Sequence, residues 1–344
     1  NESLIKGPGI IVGRKGSIGS VFYEKKDFYP IDTVFYVELK SSEFNLRYIY
    51  YMLMQSNVKN LNTDAAVPGL NREVAHSQIV KVPEFLFQQK ISSILSAYDD
   101  LIENNTRRIQ ILEEMAQRIY REWFVDFRFP GHKKVKFVDS EMGKIPEGWA
   151  ISNLEQIAEL VKDKFHENQH SNLPLLDLAR IPRKSLAISE FGKSDEIKTS
   201  RIVFKEGNIL FGAIRPYFHK IILAPCDGVT NVSVFVLKNK DIVGKHYLFN
   251  LLFSDEVVAW ANQYSGGTKM PVINWEVFKT MKIVIPQRGI ILDFESMVNN
   301  IFNLIKVLNL KNITLKRNRD LLLPKLISGE LDVSDLDIKI IEEK

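Results

Sequence analysis

Residues 166–170 read HENQH. On a helix, His-Glu-x-x-His sets two imidazoles on one face for zinc, with a carboxylate placed to act on the metal-bound water. Such a centre also needs a third protein ligand and an apolar helix to bury it. The surrounding VKDKFHENQHSNLP has few apolar residues, and Pro174 follows closely. His166, Glu167 and His170 are therefore expected in a solvated polar loop, with a zinc hydrolase as the outlying alternative. Glu196-Ile197-Lys198 offers a nuclease-like Glu-x-Lys, a triplet that any charged loop can supply. There is no phosphate-binding G-x-x-x-x-G-K-[ST], no G-x-S-x-G elbow and no Asn/Asp-Pro-Pro-aromatic tetrapeptide. Catalysis finds no home.

Basic and aromatic loops are more informative. GRKGSIG (13–19) sets Arg14, Lys15 and Ser17 among three glycines, where cations and backbone N–H groups can reach phosphates. GAIRPYFHK (212–220) carries Arg215, Tyr217, His219 and Lys220. ARIPRK (179–184) and SGGTKMPVIN (265–274) add Arg180, Arg183, Lys184, Thr268 and Lys269. Bidentate arginine contacts to guanine discriminate bases by about 1–3 kcal/mol each, whereas lysine mostly positions the backbone. These side chains are the candidate DNA contacts.

The elements that must position them begin with size. The chain has 344 residues, 45% of them hydrophobic, enough for two domains with their own cores. Lys and Arg outnumber Asp and Glu by 46 to 42, an excess compatible with nucleic acid. The single cysteine, Cys226, excludes internal disulfides and a cysteine-rich zinc site and fits a reducing cytoplasm. No apolar run reaches the ~18 residues of a membrane helix. The first residue is Asn, so the chain is expected to begin partway into its gene product.

The sequence repeats itself. GIIVGRKGS (9–17) aligns with NILFGAIRP (208–216) at an offset of 199, as do DTVFYV (32–37) with NVSVFV (231–236) and YIYYML (48–53) with YLFNLL (247–252). At 203, VPGLN (67–71) meets MPVIN (270–274) and VKVP (80–83) meets IVIP (283–286). Short β-branched runs over 201–214 and 229–238 and helical spacing over 247–264 make each block α+β. Residues 146–205 have no counterpart before the first copy. The missing start is expected roughly fifty residues before Asn1, from Pro146 less the offset of 199.

Each copy ends in a long heptad stretch. The first seam is Leu95, Tyr98, Ile102, Asn105, Ile109, Leu112, Ala116, Ile119 and Trp123. The second is Ile291, Phe294, Val298, Ile301, Ile305, Leu308, Asn312, Leu315, Arg319 and Leu322, in the same phase. Alternating steps of three and four predict two helices paired as a coiled coil, the first spanning Gln88 to Phe124, roughly 55 Å. Asn105 and Asn312 interrupt the seams with amides of the kind that fix register.

The order of these parts resembles the DNA-specificity subunit of Type I restriction–modification systems. The phrases that carry the likeness are REWFVDFRFPG (121–131), GKIPEGW (143–149), GAIRPY (212–217) and LLLPKLISGEL (321–331). The resemblance implies an α+β fold in which two repeated target-recognition domains are joined by two long antiparallel coiled-coil helices with pseudo-twofold symmetry. It divides the chain into a first target-recognition domain (1–83) lacking its N-terminal part, a central conserved helix and linker (84–145), a second target-recognition domain (146–286), a C-terminal conserved helix (287–333) and a short acidic tail (334–344). It further implies a cytoplasmic, non-catalytic subunit that reads a bipartite double-stranded DNA target with an unread spacer. Two modification (methyltransferase) subunits would bind the helices, with Trp123, Phe124, Leu321 and Leu322 either contacting them or buried within this chain, and restriction (translocase/nuclease) subunits would join them. S-adenosylmethionine, ATP and Mg are then expected on the partners, none on this chain. On this reading the helix pair acts as a ruler, and seven residues inserted after Glu113 lengthen the spacer. A protein-interaction scaffold without DNA binding is the rival.

Overall fold

The computed structural model describes residues 4–56, 58, 61, 69–170, 172–197 and 200–340. Lys198 of the Glu-x-Lys triplet and Val67-Pro68 of the first repeat lie outside them. The chain forms two compact units, one of residues 1–102 with 315–344 and one of residues 103–314.

In the first unit, β1 (Gly9–Gly13), β2 (Val21–Glu24) and β3 (Val34–Val37) form an antiparallel sheet in the order β2-β1-β3. Pleating divides β1: Ile10 and Val12 are buried, while Ile11 pairs with Phe22 and Tyr36 on the outer face. Helix α1 (Leu46–Gln55) starts where the Asn45 side chain accepts from the Tyr48 N–H, and it buries Tyr48, Ile49 and Met52 in the same core as Ile10 and Val12. Asn71 caps α2 (Arg72–His76) in the same way. Helix α3 (Phe85–Tyr120) follows and passes into the second unit after Ile102.

The second unit opens with the hairpin β4 (Phe137–Ser140) and β5 (Gly143–Pro146), then β6 (Ala150–Asn153) and β7 (Ala158–Leu160). One turn, α4 (Glu167–His170), leads to β8 (Pro174–Leu175), β9 (Gly192–Lys193) and β10 (Arg201–Phe204). After them come β11 (Ile209–Gly212), β12 (Ile221–Leu223), β13 (Gly228–Asn231) and β14 (Val234–Asn239). Two four-stranded sheets result, β12-β11-β14-β7 and β10-β13-β8-β9. Both β-branched runs, over 201–214 and 229–238, therefore break midway and feed different sheets. Helices α5 (Lys245–Leu252) and α6 (Asp255–Gln263) divide the helical stretch at Ser254, whose hydroxyl caps α6 by accepting from Val257 N–H. After α7 (Trp275–Phe278), β15 (Lys282–Ile285) pairs with β6 and leads into α8 (Arg288–Ser328), which leaves this unit after Thr314.

The internal repeat is structural. Leu210 on β11 pairs with Ile222 and Val236 as Ile11 pairs with Phe22 and Tyr36. The bridge Lys15–Gly69 recurs as Ile214–Val272, and Asn274 caps α7 as Asn71 caps α2. The offset needs correction for two strands: β1 and α1 follow 199, but β2 and β3 pair at 200. The turn after β11 is one residue longer than its counterpart, and the connection from β14 to α5 is one shorter. The copies also differ in burial. Leu210, Ile222 and Val236 are buried with residues of the 154–204 segment, whereas Phe22 and Tyr36 are exposed.

The long helices pair antiparallel in each unit. In the first, Asp99 meets Arg319 at 2.5 Å, and Lys90 donates to the Ser334 carbonyl just past α8 at 2.7 Å. In the second, Asn105 meets Asn312, and the Tyr120 ring lies 6.2 Å from Phe294. Leu95, Ile109, Ile305 and Leu308 are buried along the seam, with Tyr98, Ile102, Leu112, Ile301, Leu315 and Leu322 half-buried. α3 begins at Phe85 rather than Gln88, and its α-helical geometry ends at Tyr120. A π turn, Arg121–Val125, then carries Trp123 and Phe124 inward. This corrects their reading as modification-subunit contacts in favour of burial within this chain. Both are under a tenth exposed, packed against Phe294 with ring separations of 6.0 and 5.0 Å. Leu321, by contrast, is 57% exposed.

Candidate nucleic-acid interface

Three loops of the second unit meet at one edge. The Arg215 N–H donates to the Pro271 carbonyl at 2.7 Å, and the Lys184 N–H to the His219 carbonyl at 2.8 Å. Lys220 Nζ donates to the carbonyls of Leu178 (2.5 Å) and Ala179 (3.3 Å). Thus 177–184, 212–220 and 265–272, far apart in sequence, form one surface. Lys184, Arg215 and His219 all take left-handed backbone (φ 44°, 49° and 52°). Each such residue costs on the order of 1 kcal/mol or more and persists only where its surroundings hold it.

The candidate side chains fall into two groups. Arg180 pairs with Asp177 at 3.2 Å and with Glu196, Lys184 with Asp255 at 2.8 Å, and Lys220 with two carbonyls. These bonds hold the loops together, although Arg180 Nε is buried without a partner and Lys184 is exposed. Burial also pulls the Lys220 ammonium below its ordinary range. His219 belongs with them: its Nε2 donates to the Phe253 carbonyl at 2.9 Å, and burial lowers the imidazole so that it stays neutral at pH 7. The Lys184 hydrogen bond holds the Asp255 carboxyl below its usual value.

The second group faces outward. Arg183, Tyr217, Thr268 and Lys269 are exposed, and the Arg183 guanidinium lies 3.9 Å over the Phe218 ring. Stacking leaves its planar fork oriented yet still able to donate. Arg215 is half-buried. Its Nη2 reaches the Lys269 carbonyl at 3.4 Å, and its Nε is buried without a partner.

In the first unit the equivalent turn, 13–20, is fastened by Gly13 N–H to Ser20 carbonyl (2.8 Å) and by Arg14 and Lys15 N–H to the Thr33 carbonyl (2.9 and 3.1 Å). A Cβ at Gly13 would sit 2.0 Å from the Ser17 carbonyl, so only glycine closes this turn. Arg14, Lys15 and Ser17 are exposed.

His166 and Glu167 are solvent-exposed, as the composition of HENQH suggests, but Glu167–His170 make one helical turn instead of a loop. Even so, it does not assemble a metal centre. His170 Nδ1 accepts the His166 N–H at 3.0 Å, Glu167 lies 3.5 Å from Arg201, and no group of three His, Cys, Asp or Glu able to hold a metal occurs among the described residues.

Sequence reasoning missed the acids that engage these cations, Asp177, Glu196 and Asp255. It also missed two buried polar side chains on the long helices, Glu113 and Asn309. Their signal was faint: each is a polar residue directly after a seam leucine.

Each of the two repeated α+β units carries exposed cations on its loops, Arg14 and Lys15 in the first and Arg183 and Lys269 in the second, beside its part of the two long helices. Comparison with known proteins supplies the family. The Type I restriction modification DNA specificity domain matches residues 1–114 and again 146–317, and the chain belongs to that family. It is similar to the Type I restriction enzyme MjaIX specificity subunit of Methanocaldococcus jannaschii, with 27% identity over 84% of this chain and 70% of that protein. The MjaVIII specificity subunit of the same organism is 23% identical over 93% of this chain and 78% of its own length. In fold it resembles the crystal structure of the Type I restriction–modification S subunit from M. genitalium, with a TM-score of 0.57 and 16% identity, covering 94% of this chain and 84% of that one. The chain is thus a sequence-specific DNA-recognition subunit of a Type I restriction–modification system, the non-catalytic member that assembles with its other subunits. Among the described residues, no helix is long and apolar enough to cross a membrane.

Proposed function

We propose that the chain reads a bipartite double-stranded DNA target, one half-site per unit, with an unread spacer set by the helix pair. The observation that carries this is the recurrence of one sheet, one helix and one basic turn in both units. Because Gly13–Ser20 and Gly212–Lys220 differ in their side chains, each half reads a different sequence. In the second unit Arg183, Arg215, Tyr217, Thr268 and Lys269 meet the DNA; in the first, Arg14, Lys15 and Ser17.

Two modification subunits dock on the long helices, and restriction subunits join them in the cytoplasm. Exposed Ile111 and Met115 on α3 and Val125 on its π turn suit a protein partner better than the buried Trp123 and Phe124. S-adenosylmethionine, ATP and Mg belong to those partners. The test is a mobility shift of the chain assembled with its modification subunit. Binding that weakens steeply with salt is expected, since displaced counterions drive phosphate contacts. Salt-independent association, or none, would favour a protein scaffold.

A further inference from the structure

Glu113 on α3 and Asn309 on α8 are 5% and 3% exposed, and neither lies on the heptad seam. Both face a segment of the recognition block. Glu113 Oε1 accepts from the Leu186 N–H and from the Ser185 hydroxyl at 3.3 Å. Asn309 accepts from the Ile188 N–H at 2.9 Å and donates to the Leu186 carbonyl at 2.8 Å. Two side chains, one from each helix, therefore satisfy the N–H of 186, the C=O of 186 and the N–H of 188. Those are the groups a neighbouring β-strand would pair.

The segment so held follows directly on the outward edge. Arg183 lies over Phe218, and the next residue, Lys184, is bonded through its backbone to His219 and through its ammonium to Asp255. Residues 183–188 are thus tied at one end to the 212–220 loop and at the other to the helix pair. Burial of Leu186 and Ile188 gives adhesion, but apolar contact alone does not choose a register. A slip of one residue would leave several buried polar groups unpaired, each costing about 1–3 kcal/mol.

We infer that Glu113 and Asn309 are positioning residues that fix the register of Ser185–Ile188 on the helix pair and so place the Arg183 edge against the second half-site. This rests on the DNA reading proposed above. The consequence is that base discrimination by the second unit depends on two side chains too far inside the chain to touch DNA.

The test uses the chain assembled with its modification subunit, after methylation mapping has given both half-sites. Binding is measured on DNA panels varied at one half-site at a time. Glu113→Leu and Asn309→Leu are expected to lower discrimination at the second half-site about tenfold, leaving the first unchanged, while Glu113→Gln keeps it. If the leucine variants do not fold, Asn309→Asp, which keeps the acceptor and loses the donor, carries the same comparison. Folded clamp variants with unchanged second-site discrimination, or with equal loss at both half-sites, would overturn the inference. Arg183→Ala serves as the control for the underlying reading: no change at the second half-site would show that this edge does not read DNA.

Discussion

The Asn105 amide donates to Asn312 Oδ1 at 2.9 Å between α3 and α8, with both side chains buried. Amides at such positions commonly select one register at a cost in stability, because any slip buries them unpaired. Replacing only Asn105 by Leu should destabilise the chain by about 1–3 kcal/mol. The double change Asn105→Leu with Asn312→Leu should recover most of that loss. A double-mutant cycle by denaturant unfolding measures the coupling; additive effects would show that the pair does not act together.

In the first unit the helices meet through ions. Asp99 binds Arg319 and accepts the Tyr51 hydroxyl at 2.5 Å, with Arg47 at 3.8 Å. Arg47 lies 4.3 Å over the Tyr23 ring, tying α1 and β2 to the same acid. Arg319→Met should cost about 1–3 kcal/mol, because it takes the nearest cation from a largely buried carboxylate and leaves it the Tyr51 hydroxyl and the more distant Arg47. Thermal unfolding checks this, and a Tm shift below a degree would mean that water replaces the arginine.

Glu113 makes stability depend on pH. Burial is the main cause that raises its carboxyl from the ordinary 4.5 to about 7; Glu114 adds to the rise, and the Leu186 and Ser185 hydrogen bonds oppose it. The folded state therefore binds this proton more tightly than the unfolded state. The resulting stability is complete below pH 4.5 and is lost as pH rises through 7. Glu113→Gln should gain on the wild type by up to about 3 kcal/mol between pH 4.5 and 8. Unfolding free energies at the two ends measure it, and a pH-independent difference would contradict the assignment.

Arginine and lysine at the outward edge should behave differently. Arg215→Ala should weaken recognition of only the second half-site, by about 1–3 kcal/mol per lost base contact. Lys269→Ala should weaken all sequences alike and reduce the salt slope by about one. Equal loss on every sequence for Arg215→Ala would make it a phosphate clamp.

What the sequence revealed follows from where its signals are local. Heptad spacing exposes Asn105 and Asn312 because one face of a long helix must stay apolar. The repeat exposes β1 and β11 because both are short apolar strands with a helix of the same unit packed against them. The fates of Arg180, Lys184 and Lys220 were hidden, since Glu196, Asp255 and the Leu178 carbonyl reach them only through tertiary folding. Trp123 and Phe124 misled for a related reason: adjacent apolar residues at a helix end cannot both face one α-helical seam, and the π turn that accommodates them leaves no periodic signature. Glu113 was read only as a place to insert residues. Yet Glu113 and Tyr120 are both anchored in the second unit, so an insertion between them would tear that unit instead of spacing the two.

The ruler is tested most directly by inserting seven residues into α3 between Asp99 and Asn105 and seven into α8 between Asn312 and Arg319. Both cross-helix pairs are then kept while the helices lengthen by about 10 Å, up to roughly three base pairs of DNA. Methylation mapping in cells that coexpress the modification subunit reads the outcome. A target with both half-sites intact and a longer spacer is predicted; an unchanged spacer with full methylation would contradict the account.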